Sequence, residues 1–585
     1  MTLIFAPENF ERNIGHAKTK DKIQHQSKYM EYCKPLVLCS HADYHPTSTS
    51  SHGVDKQSPI VLYYSSKIKS TITSCSQTPY PEICDYYMGT TSELFVGTLA
   101  ADVDQTQFSF GERVLKVTTD QALQAHRLIS SMDLTSFNEP AKLAWADCLE
   151  LYEDTIDHLN RSMIISSTNP TTNDDSLTWL SAAIANQQTC KNGFIDFNLA
   201  SDQHLDSLPF MLGNLSMLLS NSLAITKAST STSVGGDDGG GRRRLLEDTF
   251  PTWVTVADRK LLQSSAAAPK ADVVVAQDGS GNYKTISEAV AASAKRTSGS
   301  KRFVIYVKKG VYKENVEIKK SIKNLMIIGD GIDATIVTAN KNAKGGSTTF
   351  RTATFAVSGE RFIARDITFE NTAGPENHQA VALRSGSDFS VFFRCSFKGY
   401  QDTLYVYSQR QFYRECDIYG TQDFIFGDAI AVIQSCNIYV RKPMSGQKNT
   451  VTAQARTDPN EPTGIVIHNS RVTAAGDLKG SQGSVHTYLG RPWQKYSRTV
   501  FMKSSIDGVI DPKGWLPWSG NFALSTLYYG EYMNVGAGAS TSGRVNWPGY
   551  HVITSATEAG KFTVGNFLAG VSWIPSTGVP FNAGL

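Results

Sequence analysis

From Phe303 to about residue 550 the chain alternates short runs of Val, Ile, Phe and Tyr with single Gly, Asn or Asp residues. That is the pattern of many short strands. Inside it one phrase is written three times: FFRCSFKGYQDTL (392–404), FYRECDIYGTQDF (412–424) and VIQSCNIYV (432–440). Cys395, Cys416 and Cys436 mark the same point in each copy, 21 and then 20 residues apart, and Asp402 and Asp423 share a second register, also 21 apart. A β-rich repeat of about 20 residues predicts a parallel β-solenoid. Equivalent positions on consecutive turns of such a coil stack at about 4.8 Å. Upstream the period changes. Ala144, Cys148, Leu151, Tyr152, Thr155 and Leu159 recur at spacings of three and four, the mark of an amphipathic helix. Similar stretches around 91–132, 176–190 and 205–225 predict an antiparallel helical bundle.

The chain thus divides into a disordered extension (1–65), a helical bundle (66–226), a flexible low-complexity linker (227–265) and the solenoid (266–585). The solenoid opens on DVVVAQDGSGNYKTISEAVAASAK, a strand, a turn and a helix with a Thr285…Glu288 capping box, placed to close the coil's open end. GDGIDA (329–334) imitates a dinucleotide fingerprint, but TIVTAN follows where that motif needs a helix, which excludes a nucleotide site.

Charge sharpens this division. The whole chain is near neutral at +2, yet residues 263–585 carry 35 Lys+Arg against 24 Asp+Glu, leaving the remainder at about −9. A basic solenoid beside an acidic bundle predicts that the bundle docks on the solenoid and blocks its cleft. Nine cysteines are too few for a disulfide scaffold. Cys75 and Cys84 are spaced as a loop staple, Cys148 and Cys190 could join two helices, and Cys395 and Cys416 could bridge adjacent turns, leaving Cys436 unmatched. Such pairings suit an oxidising compartment. No apolar run is long enough to span a membrane. Residues 1–60 hold no secretory signal pattern, so the expectation is that this start is not the native one. N-R-S at Asn160 and N-L-S at Asn214 are glycan acceptor sequences.

Candidate chemistry clusters in 379–427 and 489–493. Two stacked carboxylates cannot both ionise easily, so Asp402 and Asp423 form a pair in which one holds its proton. Alone, the pair is compatible with ester hydrolysis, glycosidic cleavage or metal binding, or with two turn aspartates capping backbone amides.

GVYKE (310–314), QAVAL (379–383), QDTL (401–404), DFIFG (423–427) and LGRPW (489–493) resemble, in order and spacing, plant pectin methylesterases. CSQTPYPEIC (75–84) with Cys148 and Cys190 resembles a pectin methylesterase inhibitor domain. The resemblance implies a right-handed parallel β-helix, preceded by an inhibitor-like pro-region, that hydrolyses methyl esters of homogalacturonan without a cofactor or metal. It implies Asp423 as nucleophile, Asp402 as proton donor and then base, and Gln379 and Gln401 as oxyanion donors, with Arg491 paired to Asp423. Substrate contacts are expected from Gln379, Thr349, Phe426, Arg491 and Trp493, with Tyr405 and Trp518 as further flat faces or packing residues. Pro-region removal by a subtilisin-like protease is expected at Arg243–Leu246 or Arg259–Leu262, and the setting is the extracellular cell wall. Gln422, Asp428, Tyr407 and Ala455 depart from the pattern, and Asp428 is expected to disturb Asp423. The alternatives are a β-helix lyase or galacturonase, and a non-enzymatic inhibitor-type module. A serine esterase is disfavoured because no G-x-S-x-G elbow is present.

Overall fold

Each turn of the repeat contributes one strand to each of three parallel sheets, so the 20-residue period becomes a three-sided coil. Ser390–Phe393, Ser396–Lys398 and Leu404–Val406 make one turn. Arg410–Arg414, Asp417–Gly420 and Ile425–Gly427 make the next. Among the described residues the first sheet has eleven strands, the second eight and the third seven, every pairing parallel. The computed structural model describes residues 72–94, 108–135, 137–163, 172–197, 208–231, 271–296 and 301–585. The expected extension 1–65 and most of the linker, with both basic Leu-Leu sites, lie outside these residues.

The register keeps like over like. Phe397 pairs with Ile418 and Ile418 with Ile438, while Phe392 stacks on Tyr413 at 4.8 Å between ring centroids. These side chains fill the coil's interior, a buried core running from Val275 to Tyr529. The corner between first and second sheets is a single residue with φ between +49° and +55° in seven turns: Asp366, Arg394, Glu415, Ser435, Asn469, Lys503 and Met533. A left-handed residue costs roughly 1–2 kcal/mol, offset here because it turns the chain without interrupting the ladders on either side.

The cysteine ladder sits directly after this corner, and the expected Cys395–Cys416 bridge is not formed: Cys395, Cys416 and Cys436 are buried free thiols. Each sulfur donates to the carbonyl two residues back, Phe393, Arg414 and Gln434 respectively. In the next two turns Ser470 and Ser504 make the same bond to His468 and Met502. The position therefore calls for a small hydrogen-bond donor that satisfies the corner carbonyl, and equal stacking gives no thiol a preferred mate.

Helices α1 (Pro81–Leu94), α2 (Phe110–Ser130), α3 (Glu139–Met163), α4 (Asn173–Asp196) and α5 (Leu208–Ser231) form the N-terminal region. The stripe read in the sequence is buried on α3. Cys148 and Cys190 join α3 to α4. Cys75 and Cys84 tie a 3-10 turn to the first turn of α1, so the staple anchors a helix that the sequence reading took for a loop. Helix α6 (Ile286–Ala294) carries the Thr285–Glu288 capping box and buries Ile286, Ala289 and Val290 against the first turns of the coil. GDGIDA leads into the strand Thr335–Ala339, as its sequence required.

Residues 64–585 make one compact unit, and α3, α4 and α5 lie on the coil. Asp154 pairs with Lys320 at 2.7 Å, Asp175 with Arg410 at 2.7 Å and Glu150 with Arg351 at 3.0 Å, while Asp147 also pairs with Arg351. Only Arg161–Glu360 runs the other way among the described ion pairs between the two parts. Neutral contacts add to this: Tyr407 donates its hydroxyl to Asn186 at 2.7 Å.

Candidate active site

The third sheet presents the site. Asp402 and Asp423 lie two residues before the first residues of its strands Leu404–Val406 and Ile425–Gly427, both in the left-handed region at φ +62° and +50°. The pairing of Leu404 with Ile425 carries the register back to the two aspartates, which therefore stack one strand spacing apart, about 4.8 Å. Positive φ at a non-glycine residue is a strained state that functional sites retain; here it turns both carboxylates to the outer face. Gly427 closes the second strand at φ +126°, where a Cβ would lie 2.1 Å from the carbonyl oxygen of Val406.

The two carboxyl groups have different surroundings. Asp423 is clamped: Arg491 donates Nε to Oδ1 at 2.8 Å and Nη2 to Oδ2 at 2.5 Å, and Thr450 donates its hydroxyl to Oδ1 at 2.6 Å. Thr450 also accepts the Asp423 backbone N–H. Trp518 supports the clamp, with the Arg491 guanidinium 4.4 Å from its ring centroid. Asp402 accepts no comparable bond among the described residues. Burial, and next the charge of Asp423, push its pKa well above the usual carboxylate range. A fixed anion thus stands beside a group built to keep its proton, which is the division an acid–nucleophile pair needs.

Around the pair lies a cavity of about 340 Å³ that brings together Gln379, Gln401, Thr349, Tyr405, Phe426, Arg491, Trp493 and Trp518. Neither the Gln379 nor the Gln401 carboxamide hydrogen-bonds to another described residue, so their donors are free to face a ligand. Phe426 lies between Tyr405, stacked at 4.2 Å, and Trp493 at 5.9 Å. The cavity's other wall is the helical region: Thr189, Asn192, Gly193, Ile195 and Asp196 of α4, and Asp147 of α3. Asp196 accepts from the Thr349 hydroxyl at 3.1 Å, and Thr189 meets the Tyr405 hydroxyl at 3.5 Å.

Residues 272–571 match the Pectinesterase family, and residues 69–225 match the Plant invertase/pectin methylesterase inhibitor family. The chain belongs to the pectinesterase family. It is 57% identical over 536 residues to "Probable pectinesterase/pectinesterase inhibitor 6" of Arabidopsis thaliana, covering 88% of this chain and 94% of that protein. It is 52% identical over 512 residues to "Pectinesterase 2" of Citrus sinensis, covering 87% and 94%. Among solved structures, "Pectin methylesterase from Carrot" superposes with a TM-score of 0.54 at 61% identity, its whole length on 55% of this chain.

Two points of the pectinesterase site differ from the sequence expectation. Asp428 does not reach the pair. Its Oδ1 accepts from Thr463 at 2.6 Å and Gln454 at 3.0 Å, and burial raises its pKa to about 7 in a separate network with Arg456 and Arg498. Thr450 was missed. It occupies the aspartate register one turn on, but the 441–448 loop stretches the spacing to 27 residues and hides the repeat.

Proposed function

We propose that this pectinesterase hydrolyses methyl esters of homogalacturonan through a covalent intermediate on Asp423. The observation that carries the reading is the asymmetric stack, with Asp423 fixed by Arg491 and Asp402 buried beside it without a counter-ion of its own. An Asp423 oxygen attacks the ester carbonyl carbon. The C–OCH₃ bond breaks as Asp402 gives its proton to the departing methoxide, so methanol leaves and an acyl-enzyme remains. Asp402, now a carboxylate, takes a proton from water; the hydroxide attacks the acyl carbon, Asp423 departs as carboxylate, and Asp402 is again protonated. Gln379 and Gln401 carry N–H donors suited to the oxyanion formed in both steps. Thr349, Phe426, Trp493 and Tyr405 would contact the sugar chain, and Trp518 acts by holding Arg491.

The docked helical region would keep this site closed. Helix α4 walls the cavity, and its contacts to Thr349 and Tyr405 occupy groups the substrate would use. Cleavage at Arg243–Leu246 or Arg259–Leu262 would free it, and the disulfides Cys75–Cys84 and Cys148–Cys190 favour an extracellular setting such as the cell wall. Asn160 is exposed, as a glycan acceptor must be, whereas Asn214 donates to the Tyr87 hydroxyl. The test is methanol release from esterified pectin by the chain cut within 232–270 and freed of its helices. Methanol without new reducing ends supports the reading; new reducing ends without methanol would favour the galacturonase alternative.

A further inference from the structure

Leu404, Ile425 and Thr452 pair in one row of the third sheet, and Asp402, Asp423 and Thr450 each stand two residues before them. The acid, the nucleophile and a threonine thus hold one place on consecutive turns. Thr450 is 1% exposed, in the strand Asn449–Gln454. Its hydroxyl closes a small ring on Asp423. Oγ1 accepts the Asp423 backbone N–H at 2.9 Å and donates to Oδ1 of the same residue at 2.6 Å. These roles cannot be exchanged, because an amide N–H only donates and an ionised carboxylate only accepts. One turn earlier the Asp402 N–H goes instead to a backbone carbonyl, that of Gln422, at 3.1 Å.

The accepting half of the ring satisfies a buried amide, and stability accounts for it. The donating half needs another reason, because Arg491 already holds both oxygens of the carboxylate. What it adds is an asymmetry. Oδ1 receives two close donors, Thr450 at 2.6 Å and Arg491 Nε at 2.8 Å. Oδ2 receives one, Nη2 at 2.5 Å, with Nε shared at 3.1 Å. A carboxylate oxygen has about two lone-pair sites, so Oδ1 is filled and Oδ2 is the oxygen left to bond carbon.

We propose that Thr450 is a positioning residue for the second half of the reaction, acting through Oδ1 to make Asp423 a better leaving group. This rests on the function proposed above. In the first step Oδ2 bonds the ester carbon, and methanol leaves with the proton of Asp402. The intermediate is an anhydride in which Oδ1 is a neutral carbonyl oxygen. In the second step hydroxide adds to the acyl carbon, the Oδ2–C bond breaks, and its electron pair returns to the carboxylate. Negative charge then grows on Oδ1, where the Thr450 hydroxyl already points. A hydrogen bond to a charged oxygen is stronger than one to a neutral oxygen. The Thr450 bond therefore weakens as Asp423 attacks and strengthens as it departs, which favours deacylation and not acylation. Arg491 keeps the carboxylate oriented in both steps.

The test uses the cut, helix-free enzyme, a portion matched end to end by the solved carrot structure. Enzyme in excess is mixed with a galacturonan oligomer carrying one methyl ester and quenched in acid at successive times. Methanol release times acylation, and decay of the adduct on Asp423, followed by peptide mass, times deacylation. Thr450→Val keeps the shape without the hydroxyl. It should slow deacylation roughly 10-fold while acylation is much less affected, so that the adduct builds up. Disturbed packing would not separate the two steps in this way. Thr450→Ser restores the hydroxyl and should recover most of the deacylation rate. If the Val variant does not fold, Thr450→Cys, a weaker donor, should show the same imbalance in smaller measure. Equal losses in both steps, a loss confined to acylation, or no loss in deacylation would overturn the assignment. A wild type releasing no methanol, or an adduct on a residue other than Asp423, would instead overturn the function on which it rests.

Discussion

The docking of the helices on the catalytic face should strengthen in acid, and Asp147→Asn isolates the cause. Asp147 is 1% exposed between Thr348 and Arg351 at the rim of the catalytic cavity. Burial raises its pKa from 3.8 to about 6 despite the pull of Arg351. Arg351 is itself raised by the same pairing. The two directions agree physically, because the side chain of Arg351 keeps 30% of its exposure and loses less solvation than Asp147 does. A carboxyl whose pKa rises on docking takes up a proton on docking. Its contribution is therefore complete below about pH 4 and is lost as pH climbs through about 6. A shift of about two units corresponds to ~3 kcal/mol, or about 100-fold in the docking equilibrium. Asp154 and Asp196, on the same face, are shifted upward by burial too. The assay is inhibition of helix-free enzyme by the separated helical region from pH 4 to 7, each point normalised to uninhibited activity at that pH. Wild-type inhibition should weaken toward pH 7, and Asp147→Asn should hold much of its acid-side strength there. Inhibition that is flat, that tightens with rising pH, or that is unchanged in its pH profile by the Asn variant would refute the reasoning.

Other consequences are equally concrete. Asp402→Asn keeps the shape but removes the proton cycle, so kcat for methanol release should fall by roughly 10²–10⁴-fold with KM little changed. Asp428→Asn should raise the melting temperature at pH 8 and leave it nearly unchanged at pH 4. Its folded pKa of about 7 lies above the unfolded value, so its contribution to stability is lost as pH rises through about 7. Activity of that variant should stay near wild type, since its bonds go to Thr463 and Gln454. Cys416→Ser should cost no more than about 1 kcal/mol in a denaturant titration, because serine already makes the same corner bond at 470 and 504.

What the sequence disclosed followed from periodicity. The period of 20–21 residues carried the parallel coil and the stacking of Asp402 on Asp423, because in-register strands turn sequence spacing directly into distance. The i, i+3, i+4 stripe carried α3 for the same reason. The failures came where spacing and position part company. The repeated cysteines suggested a bridge, but register fixes three equal neighbours and each thiol bonds its own corner carbonyl. Asp428 is five residues from Asp423, yet the turn at Gly427 sends it into another network. Thr450 was hidden by an insertion, since the 441–448 loop breaks the spacing that the register keeps.

The central claim, that Asp423 is the nucleophile, is tested most directly by acid-quenching the helix-free enzyme during turnover of a methyl-esterified oligogalacturonide and mapping its peptides by mass. The account predicts a galacturonyl adduct on the peptide containing Asp423, absent from Asp423→Ala, whose methanol release is abolished. Undiminished methanol release by Asp423→Ala, or an adduct on another residue, would contradict it.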